Sequence, residues 1–239
     1  KEGETPLQAL ERFRAGHSKY EKAKMTYAGR LDPLVSGLML VLAGEAVQEK
    51  EKYLGLTKEY AFEILFGFAT DTHDILGKVE HSHILKNIGR SEIEQEIKKE
   101  LKNFTGKFEQ KYPLYSSKTV KQARRGEKPQ APEHTVEVKS LKFLKLRKVT
   151  SRKLLQDTEG RIGKVKGDFR QKEIIKLWRK HLKNNQAAKF FIAGFHVKCG
   201  AGMYVRMLAH DLGVKIGVPA LAWKIKRTKI GKFAKITVH

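Results

Sequence analysis

Apolar residues alternate with polar ones in several segments, and this alternation predicts the strands of the protein. Residues 58–66 alternate strictly, so that Tyr60 and three further apolar side chains share one face of a strand. An unbroken apolar run at 38–43 predicts a strand that is buried on both faces. Similar patterns predict strands at 136–146 and 190–198.

Spacings of three and four residues between apolar side chains predict amphipathic helices elsewhere in the chain. The first begins at Pro6, with Thr5 as its N-cap, and stops at Gly16. A second helix is predicted at 91–101 with Ser91 as its N-cap, and a third begins after Asp168 as its N-cap. A fourth is predicted at 204–212, with Gly213 as its stop and Arg206 off its buried face. Residues 150–167 have the composition of a polar connection that contains glycines.

The composition favours a folded protein that binds a polyanion. The chain has 239 residues, of which 40% are apolar, and its 49 basic and 26 acidic residues give a net charge of +23. Nucleic acid is the first candidate partner and an anionic membrane surface the second. We expect no membrane insertion, since no apolar stretch is long enough to span a bilayer. The single cysteine, Cys199, excludes an internal disulfide, and we expect a cytoplasmic protein.

One carboxylate, Asp32, lies between two glycines and just before the apolar run at 38–43. Pro33 restricts Asp32 to an extended conformation, so the acid would be held rigidly at the mouth of a strand. Such an acid could be a reagent, but Asp-Pro also forms ordinary turns, and this stretch alone favours neither reading. The histidines form no metal-ligand set and no phosphate-binding glycine motif is present, so we expect no metal and no cofactor.

Residues 110–118 combine two tyrosines with basic residues, and further basic residues follow at 121–128. Aromatic rings that stack on splayed bases and cations that meet phosphates suit RNA. The alternative is an ordinary basic loop.

Five segments in order resemble the motifs of the TruB-type tRNA pseudouridine synthases. They are GRLDPLVSG at 29–37, KEY followed by TDT and DILG within 58–77, YPLYSSK at 112–118, CGAGMYVRMLAHDLG at 199–213, and KRTKIGKF at 226–233. Together they cover nearly the whole chain, and they favour the reading of Asp32 as a reagent.

The resemblance implies that the protein converts uridine to pseudouridine, at uridine 55 in the T-loop of tRNA, after flipping the base out of the RNA. Asp32 would be the nucleophile or the ion-pair partner of the ribosyl intermediate. Tyr60 would stack on the uracil and could take a ribose proton, and Arg206 would pair with Asp32. Further substrate contacts are implied at Tyr27, Arg30, Tyr115, Lys118, Tyr204, Leu208 and Arg227.

The resemblance also implies an α+β fold, the pseudouridine synthase fold, with a mixed, largely antiparallel central sheet flanked by helices. We expect one catalytic domain over 1–239, an RNA-clasping loop near 108–132, a polar connection and helix near 150–189, and no C-terminal PUA domain. We expect a monomer that binds tRNA, with no obligatory protein partner.

The chain departs from the family pattern at two positions beside Asp32. Tyr27 stands where most relatives have histidine, and Arg30 replaces a small residue. Gly-Arg-Leu-Asp also resembles the rRNA-directed RluA and RsuA types, so an rRNA-directed synthase is one alternative. The other is an RNA-binding or RNA-folding protein with secondary or lost catalysis.

Overall fold

A seven-stranded sheet forms the centre of the computed structural model, which describes residues 1–83, 89–116, 132–183 and 188–234. The helices are α1 (Pro6–Ala15), α2 (Lys50–Leu54), α3 (Arg90–Glu100), α4 (Ser151–Ile162), α5 (Gln171–Lys183) and α6 (Val205–Ile216). The strands are β1 (Met25–Ala28), β2 (Val35–Gly37), β3 (Leu40–Ala43), β4 (Lys58–Phe66), β5 (Phe68–Thr70), β6 (Val79–Ser82), β7 (Gly106–Lys111), β8 (Glu133–Thr150), β9 (Lys189–Cys199), β10 (Ala220–Ile230) and β11 (Phe233–Ala234).

The order of the central sheet is β11-β10-β4-β9-β8-β7, and all of these neighbours are antiparallel. The short strand β2 joins β10 in parallel, so the sheet is mixed but largely antiparallel. Two separate ribbons pair β1 with β3 and β5 with β6. This architecture confirms the α+β fold class that the sequence predicts.

Apolar side chains on both faces of the sheet form two hydrophobic clusters. The first contains Phe62 and Ile64 of β4 and packs against α3 and α6. The second contains Leu65, on the opposite face of β4, together with Leu154 of α4 and Trp178 of α5. Period-two alternation along β4 therefore supplies both clusters from one strand.

The predictions for β4 and α1 are confirmed in detail. β4 has the predicted bounds, 58–66. In α1, the Thr5 hydroxyl accepts a hydrogen bond from the Gln8 N–H, and the Gln8 side chain accepts one from the Thr5 N–H. This reciprocal pair satisfies two backbone donors that would otherwise lack partners at the start of the helix. β8 and β9 extend beyond the strands predicted at 136–146 and 190–198.

The prediction of a doubly buried strand at 38–43 is wrong. The strand begins at Leu40, and within the described residues it pairs only with β1. Leu42 is its one buried residue, because a two-stranded ribbon has no second layer on its outer side. The apolar run instead supplies one strand of the β1–β3 ribbon, and the Asp32 loop follows β1 in this ribbon.

The prediction of a polar connection at 150–167 is also wrong, because most of this segment forms α4. The Thr150 side chain caps the helix by accepting a hydrogen bond from the Lys153 N–H. Leu154, Thr158 and Ile162 recur at intervals of four residues and are buried. Gly160 in the last turn and the polar Thr158 on the inner face obscure this pattern in the sequence.

Two predicted N-caps lie inside or before their helices. Gly89 is the N-cap of α3, and Glu92 accepts a hydrogen bond from its N–H, so Ser91 already lies in the first turn. α5 begins after Arg170, and Asp168 accepts a hydrogen bond from the Arg170 N–H instead of capping the helix.

The segment predicted as an RNA-clasping loop begins as a strand. Residues 108–111 belong to β7, which pairs with β8 as far as Glu133. Residues 112–116 continue from β7 toward the cleft that contains Asp32, and 117–131 lie outside the described residues. Within the described residues, no helix is long and apolar enough to span a membrane.

Candidate active site

Asp32 lies in the loop that joins the ribbon strand β1 to β2. Its carbonyl accepts a hydrogen bond from the Val35 N–H at 2.9 Å, which closes a turn around Pro33. Gly29 and Gly37 flank this loop with φ angles of +83° and +108°, a region that side chains disfavour. The glycines therefore allow the chain to turn sharply on both sides of Asp32.

Arg227 of β10 fastens both ends of the Asp32 loop. Its side chain donates hydrogen bonds to the carbonyls of Gly29 and Leu38 at 3.0 and 2.7 Å. The residue is only 2% exposed. The sequence predicts Arg227 as a substrate contact, whereas the structure shows it holding the loop while it also lines the cleft.

Gly37 should tolerate no side chain. A Cβ atom there would lie 2.2 Å from the Arg227 carbonyl oxygen, and φ is already unfavourable. We expect Gly37→Ala to cost about 3–5 kcal/mol of unfolding free energy. Gly44→Ala is the matched control, because φ is +63° but nothing lies within 4 Å, and its cost should be about 1 kcal/mol. Equal losses in urea denaturation would contradict the proposed close approach.

Arg206, in the first turn of α6, joins three separate segments of the chain. It donates hydrogen bonds to the Asp32 carboxylate at 2.9 Å, to the Thr72 carbonyl at 2.7 Å and to the Tyr115 carbonyl at 3.2 Å. Its side chain is 4% exposed, against 38% for Asp32. The prediction that Arg206 lies off the buried face is therefore wrong, because these segments cover it.

Asp74 is a second carboxylate behind Arg206, and the sequence predicts no role for it. Its Oδ2 lies 3.7 Å from the Arg206 Nε, and its Oδ1 accepts hydrogen bonds from the Thr72 hydroxyl and the Leu76 N–H. Burial raises the pKa of Asp74, and Arg206 offsets only part of this effect. Burial disfavours the Arg206 cation, but Asp32 and Asp74 outweigh it and raise its pKa.

The position of α6 decides which of its residues reach the cleft. Val205 and Arg206 line the cleft, whereas Leu208 is buried in the first hydrophobic cluster. Leu208, predicted as a substrate contact, lies one turn farther along the helix and packs inward. The predicted stop at Gly213 is wrong, since the helix continues to Ile216 and its C-cap is Gly217, whose φ is +76°.

Tyr60 and Lys58 extend from β4 on the cleft side of the sheet. Burial raises the pKa of Tyr60 to about 12, although Arg227 opposes this shift. The phenol is therefore protonated at neutral pH. Burial, together with Arg227, lowers the pKa of Lys58, whose ammonium donates a hydrogen bond to the Leu54 carbonyl. Lys58 is a cleft residue that the sequence did not predict.

Gln110 of β7 holds the residue that precedes α6. Its side chain donates to the Tyr204 carbonyl at 3.2 Å and accepts from the Tyr204 N–H at 2.8 Å. Gln110 is 1% exposed, and Tyr204, predicted as a substrate contact, lines the cleft. The sequence did not predict this role of Gln110, whose only signal is a polar residue near the end of a strand, at the start of the basic aromatic segment.

Removal of the Gln110 side chain should leave two backbone groups of Tyr204 without these partners. We expect Gln110→Ala to lower the unfolding free energy by about 2–4 kcal/mol. Lys107→Ala, at an exposed position on the same strand, should change it by less than about 0.5 kcal/mol. Chemical denaturation of both variants checks this, and similar small losses would contradict the role of Gln110.

The cleft in front of Asp32 is open to solvent and has a volume of about 290 Å³. Of the predicted site residues, the structure places Arg30, Asp32, Tyr60, Tyr204, Arg206 and Arg227 in its lining. The lining also includes Gly29, Leu31, Val35, Leu54, Lys58, Ser116, Gly200, Gly202, Met203, Val205 and Ile225.

Three other predicted contacts lie elsewhere or are not described. The Tyr27 hydroxyl accepts a hydrogen bond from Arg30 at 3.4 Å, outside the described cleft lining. Tyr115 is exposed, and the Arg170 guanidinium lies 4.9 Å from its ring centroid. Lys118 lies outside the described residues. Within the described residues, no group of three or more His, Cys, Asp or Glu side chains is arranged to hold a metal ion.

Chains in two solved complexes have the same architecture. The structure resembles a chain of a Cbf5-Nop10-Gar1 complex, with a TM-score of 0.58 and 19% identity over 99% of this chain and 48% of that chain. It also resembles a chain in a structure of an H/ACA RNP bound to a substrate RNA containing 2′-deoxyuridine, with a TM-score of 0.55 and 17% identity over 98% and 46% of the two chains. At these identities the similarity establishes the fold.

The sequence identifies the family. Residues 17–162 match the family described as TruB family pseudouridylate synthase (N terminal domain), and the chain belongs to this family. It is 31% identical to tRNA pseudouridine synthase B of Ligilactobacillus salivarius (strain UCC118), over 90% of this chain and 60% of the relative. It is 28% identical to tRNA pseudouridine synthase B of Aquifex aeolicus (strain VF5), over 97% and 66%. The chain thus spans 60–66% of the length of these relatives.

Proposed function

We propose that this chain converts uridine to pseudouridine in RNA, at uridine 55 in the T-loop of tRNA. The observation that carries the proposal is the half-exposed Asp32 carboxylate, which a buried Arg206 holds at the cleft that Tyr60 lines. Relatives named tRNA pseudouridine synthase B support tRNA as the substrate.

The reaction is an isomerisation, so it needs no redox step. The bond between N1 and C1′ breaks, the uracil turns, and C5 bonds to C1′ while C5 loses a proton and N1 gains one. Asp32 faces the open cleft and is suited to act at the ribose, either by attack on C1′ or by assisting elimination to a glycal. Arg206 acts as a positioning residue, because its Nε donates to one carboxylate oxygen and keeps the group oriented.

Tyr60 is suited to stack against the flipped uracil. Because burial raises its pKa to about 12, the phenol starts the reaction with its proton and can donate a hydrogen bond. A role as base toward a ribose proton would require the phenol first to release that proton.

Cations around the cleft favour RNA as the substrate. The exposed Arg30 lines the cleft, and the chain as a whole carries a net charge of +23. Phosphate contacts of this kind make binding strong at low salt and weak at high salt. We propose that one catalytic domain over 1–239 acts as a cytoplasmic monomer, with an RNA-clasping segment after β7.

An rRNA-directed activity is the second candidate, favoured by Arg30 in the cleft beside Asp32. Transcripts of a tRNA, of the same tRNA with cytidine at position 55, and of rRNA fragments distinguish the two. After incubation with the protein, carbodiimide treatment and primer extension map pseudouridine. We expect a signal at position 55 of the unchanged tRNA alone. Signals only on rRNA would favour the alternative, and no product on any T-loop substrate would contradict the proposal.

A further inference from the structure

Half of one face of the central sheet is open to solvent, on the side away from the cleft. Tyr60 and Ile225 extend toward the cleft, so the neighbouring residues of β4 and β10 extend to the opposite side. There, Leu65 and Trp223 lie under α4 and α5 in the second hydrophobic cluster. The remaining half, called here the open face, consists of Glu59, Ala61, Glu63, Ser140, Lys142, Lys145, Gly194, His196, Lys198, Lys224, Lys226 and Lys229.

Four lysines form two rows on the open face. One row is Lys224 and Lys226 on β10, and the other is Lys142 and Lys145 on β8. Lys226 of β10 is in register, through β4 and β9, with Lys142 of β8. Lys224 is in register in the same way with Lys145, and all four lysines are exposed. The register shift between Phe143 and Lys145 keeps Lys145 on the same face as Lys142. Three strand spacings place the two rows about 14 Å apart.

The acidic residues of the open face already have partners. Glu63 pairs with Arg147 at 3.1 Å, and Glu59 lies 3.7 Å from the Lys229 ammonium and 3.6 Å from His196. Within the described residues, the four row lysines and Lys198 form no ion pair. The open face therefore presents cations that are free to meet an anionic partner.

The shape and composition of the open face point to double-stranded RNA. It contains no Phe, Tyr or Trp, so it lacks the rings on which single-stranded bases stack. Ala61 and Gly194 are its smallest residues, and the Lys145 side chain lies over the buried Gly194. Duplex RNA is recognised through phosphates and 2′-hydroxyls across a wide, shallow minor groove, which suits two separated rows of cations without aromatic rings.

We propose that the open face is a second RNA-binding surface, where the two lysine rows hold the phosphates of both strands of an RNA duplex. This surface is separate from the cleft, which would take a single flipped nucleotide. It goes beyond the proposed isomerisation, because it would bind duplex RNA whether or not a uridine is modified.

Charge reversal on both rows tests the proposal in the full chain. Lys142→Glu/Lys226→Glu should weaken binding to a blunt RNA duplex at least about tenfold and lower the slope of log affinity against log salt by about 2. The matched control is Lys172→Glu/Lys176→Glu, at exposed positions of α5 and with the same change of net charge. Fluorescence anisotropy over a salt series, with both pairs introduced into Asp32→Asn, gives both quantities without turnover.

The outcomes separate this proposal from the proposed isomerisation. Weaker duplex binding only in the Lys142/Lys226 pair would support the open face even if the wild type forms no pseudouridine. Equal weakening in both pairs would show a general effect of charge and overturn the proposal, as would unchanged binding or weaker binding of single-stranded RNA alone. Lys142→Arg/Lys226→Arg should retain duplex binding. If thermal melting shows that Lys142→Glu/Lys226→Glu is unfolded, Lys142→Gln/Lys226→Gln is measured in its place.

Discussion

Replacing Asp32 with asparagine is expected to lower the rate of uridine isomerisation by more than about 10⁴-fold, as loss of an essential reacting group does in other enzymes. Asparagine has nearly the same shape, and its amide oxygen can still accept the hydrogen bond that Arg206 donates to Asp32. It cannot serve as the anionic nucleophile. Because the Asp32 side chain is 38% exposed, we expect little change in thermal stability.

Single-turnover assays, with protein in excess over tRNA, measure this loss of rate without a contribution from product release. Glu45→Gln is the matched control, since it removes an exposed carboxylate from the same sequence stretch and should retain full activity. An Asp32→Asn rate within about tenfold of the wild type would exclude Asp32 as the reacting group.

Replacing Arg206 with glutamine is expected to lower both stability and activity. The substitution leaves the buried Asp74 carboxylate without the cation that lies 3.7 Å away. Loss of one partner of a buried ion pair costs about 3–5 kcal/mol, because the remaining charge is uncompensated. Urea denaturation measures the stability, and the isomerisation assay should show a rate loss because Asp32 is no longer oriented.

A double variant separates these two effects. Arg206→Gln/Asp74→Asn removes both charges and should recover most of the lost stability, but not the activity. If the double variant were as unstable as Arg206→Gln, the cost would come from packing and not from the Asp74 charge.

The pH dependence of Arg206→Gln provides a second check. The pKa of Asp74 is already raised in the folded protein, and loss of Arg206 should raise it further. The folded state then binds more protons than the unfolded state between the ordinary pKa of aspartate and the raised value. Stability should therefore fall as pH rises through this window, and the slope should disappear in the double variant.

Local patterns in the sequence predict the parts of the site that depend on neighbouring residues. The alternation at 58–66 places Tyr60 on a strand, and the turn residues around Asp32 predict a rigid carboxylate. The five motif resemblances then predict the family. These features depend on backbone geometry over a few residues, which the sequence expresses directly.

Contacts between distant segments explain what the sequence could not predict. Arg206 bonds to the Thr72 carbonyl across 134 positions of the chain and to the Tyr115 carbonyl across 91. Backbone carbonyls leave no residue-type signal, so the burial of Arg206 and the role of Asp74 were missed. The same holds for Gln110, whose partner is the backbone of Tyr204.

The fastening of the Asp32 loop to β10 has a consequence for the evolution of the family fold. Arg227, which holds the loop, is in register with Tyr60 on β4. A one-residue insertion or deletion in β10 before Arg227 would turn the guanidinium to the opposite face of the sheet. The Asp32 loop would then lose both of its hydrogen bonds from Arg227 at once. Substitutions along β10 can accumulate during divergence, whereas its length between Ala222 and Arg227 should stay constant among functional descendants of this chain.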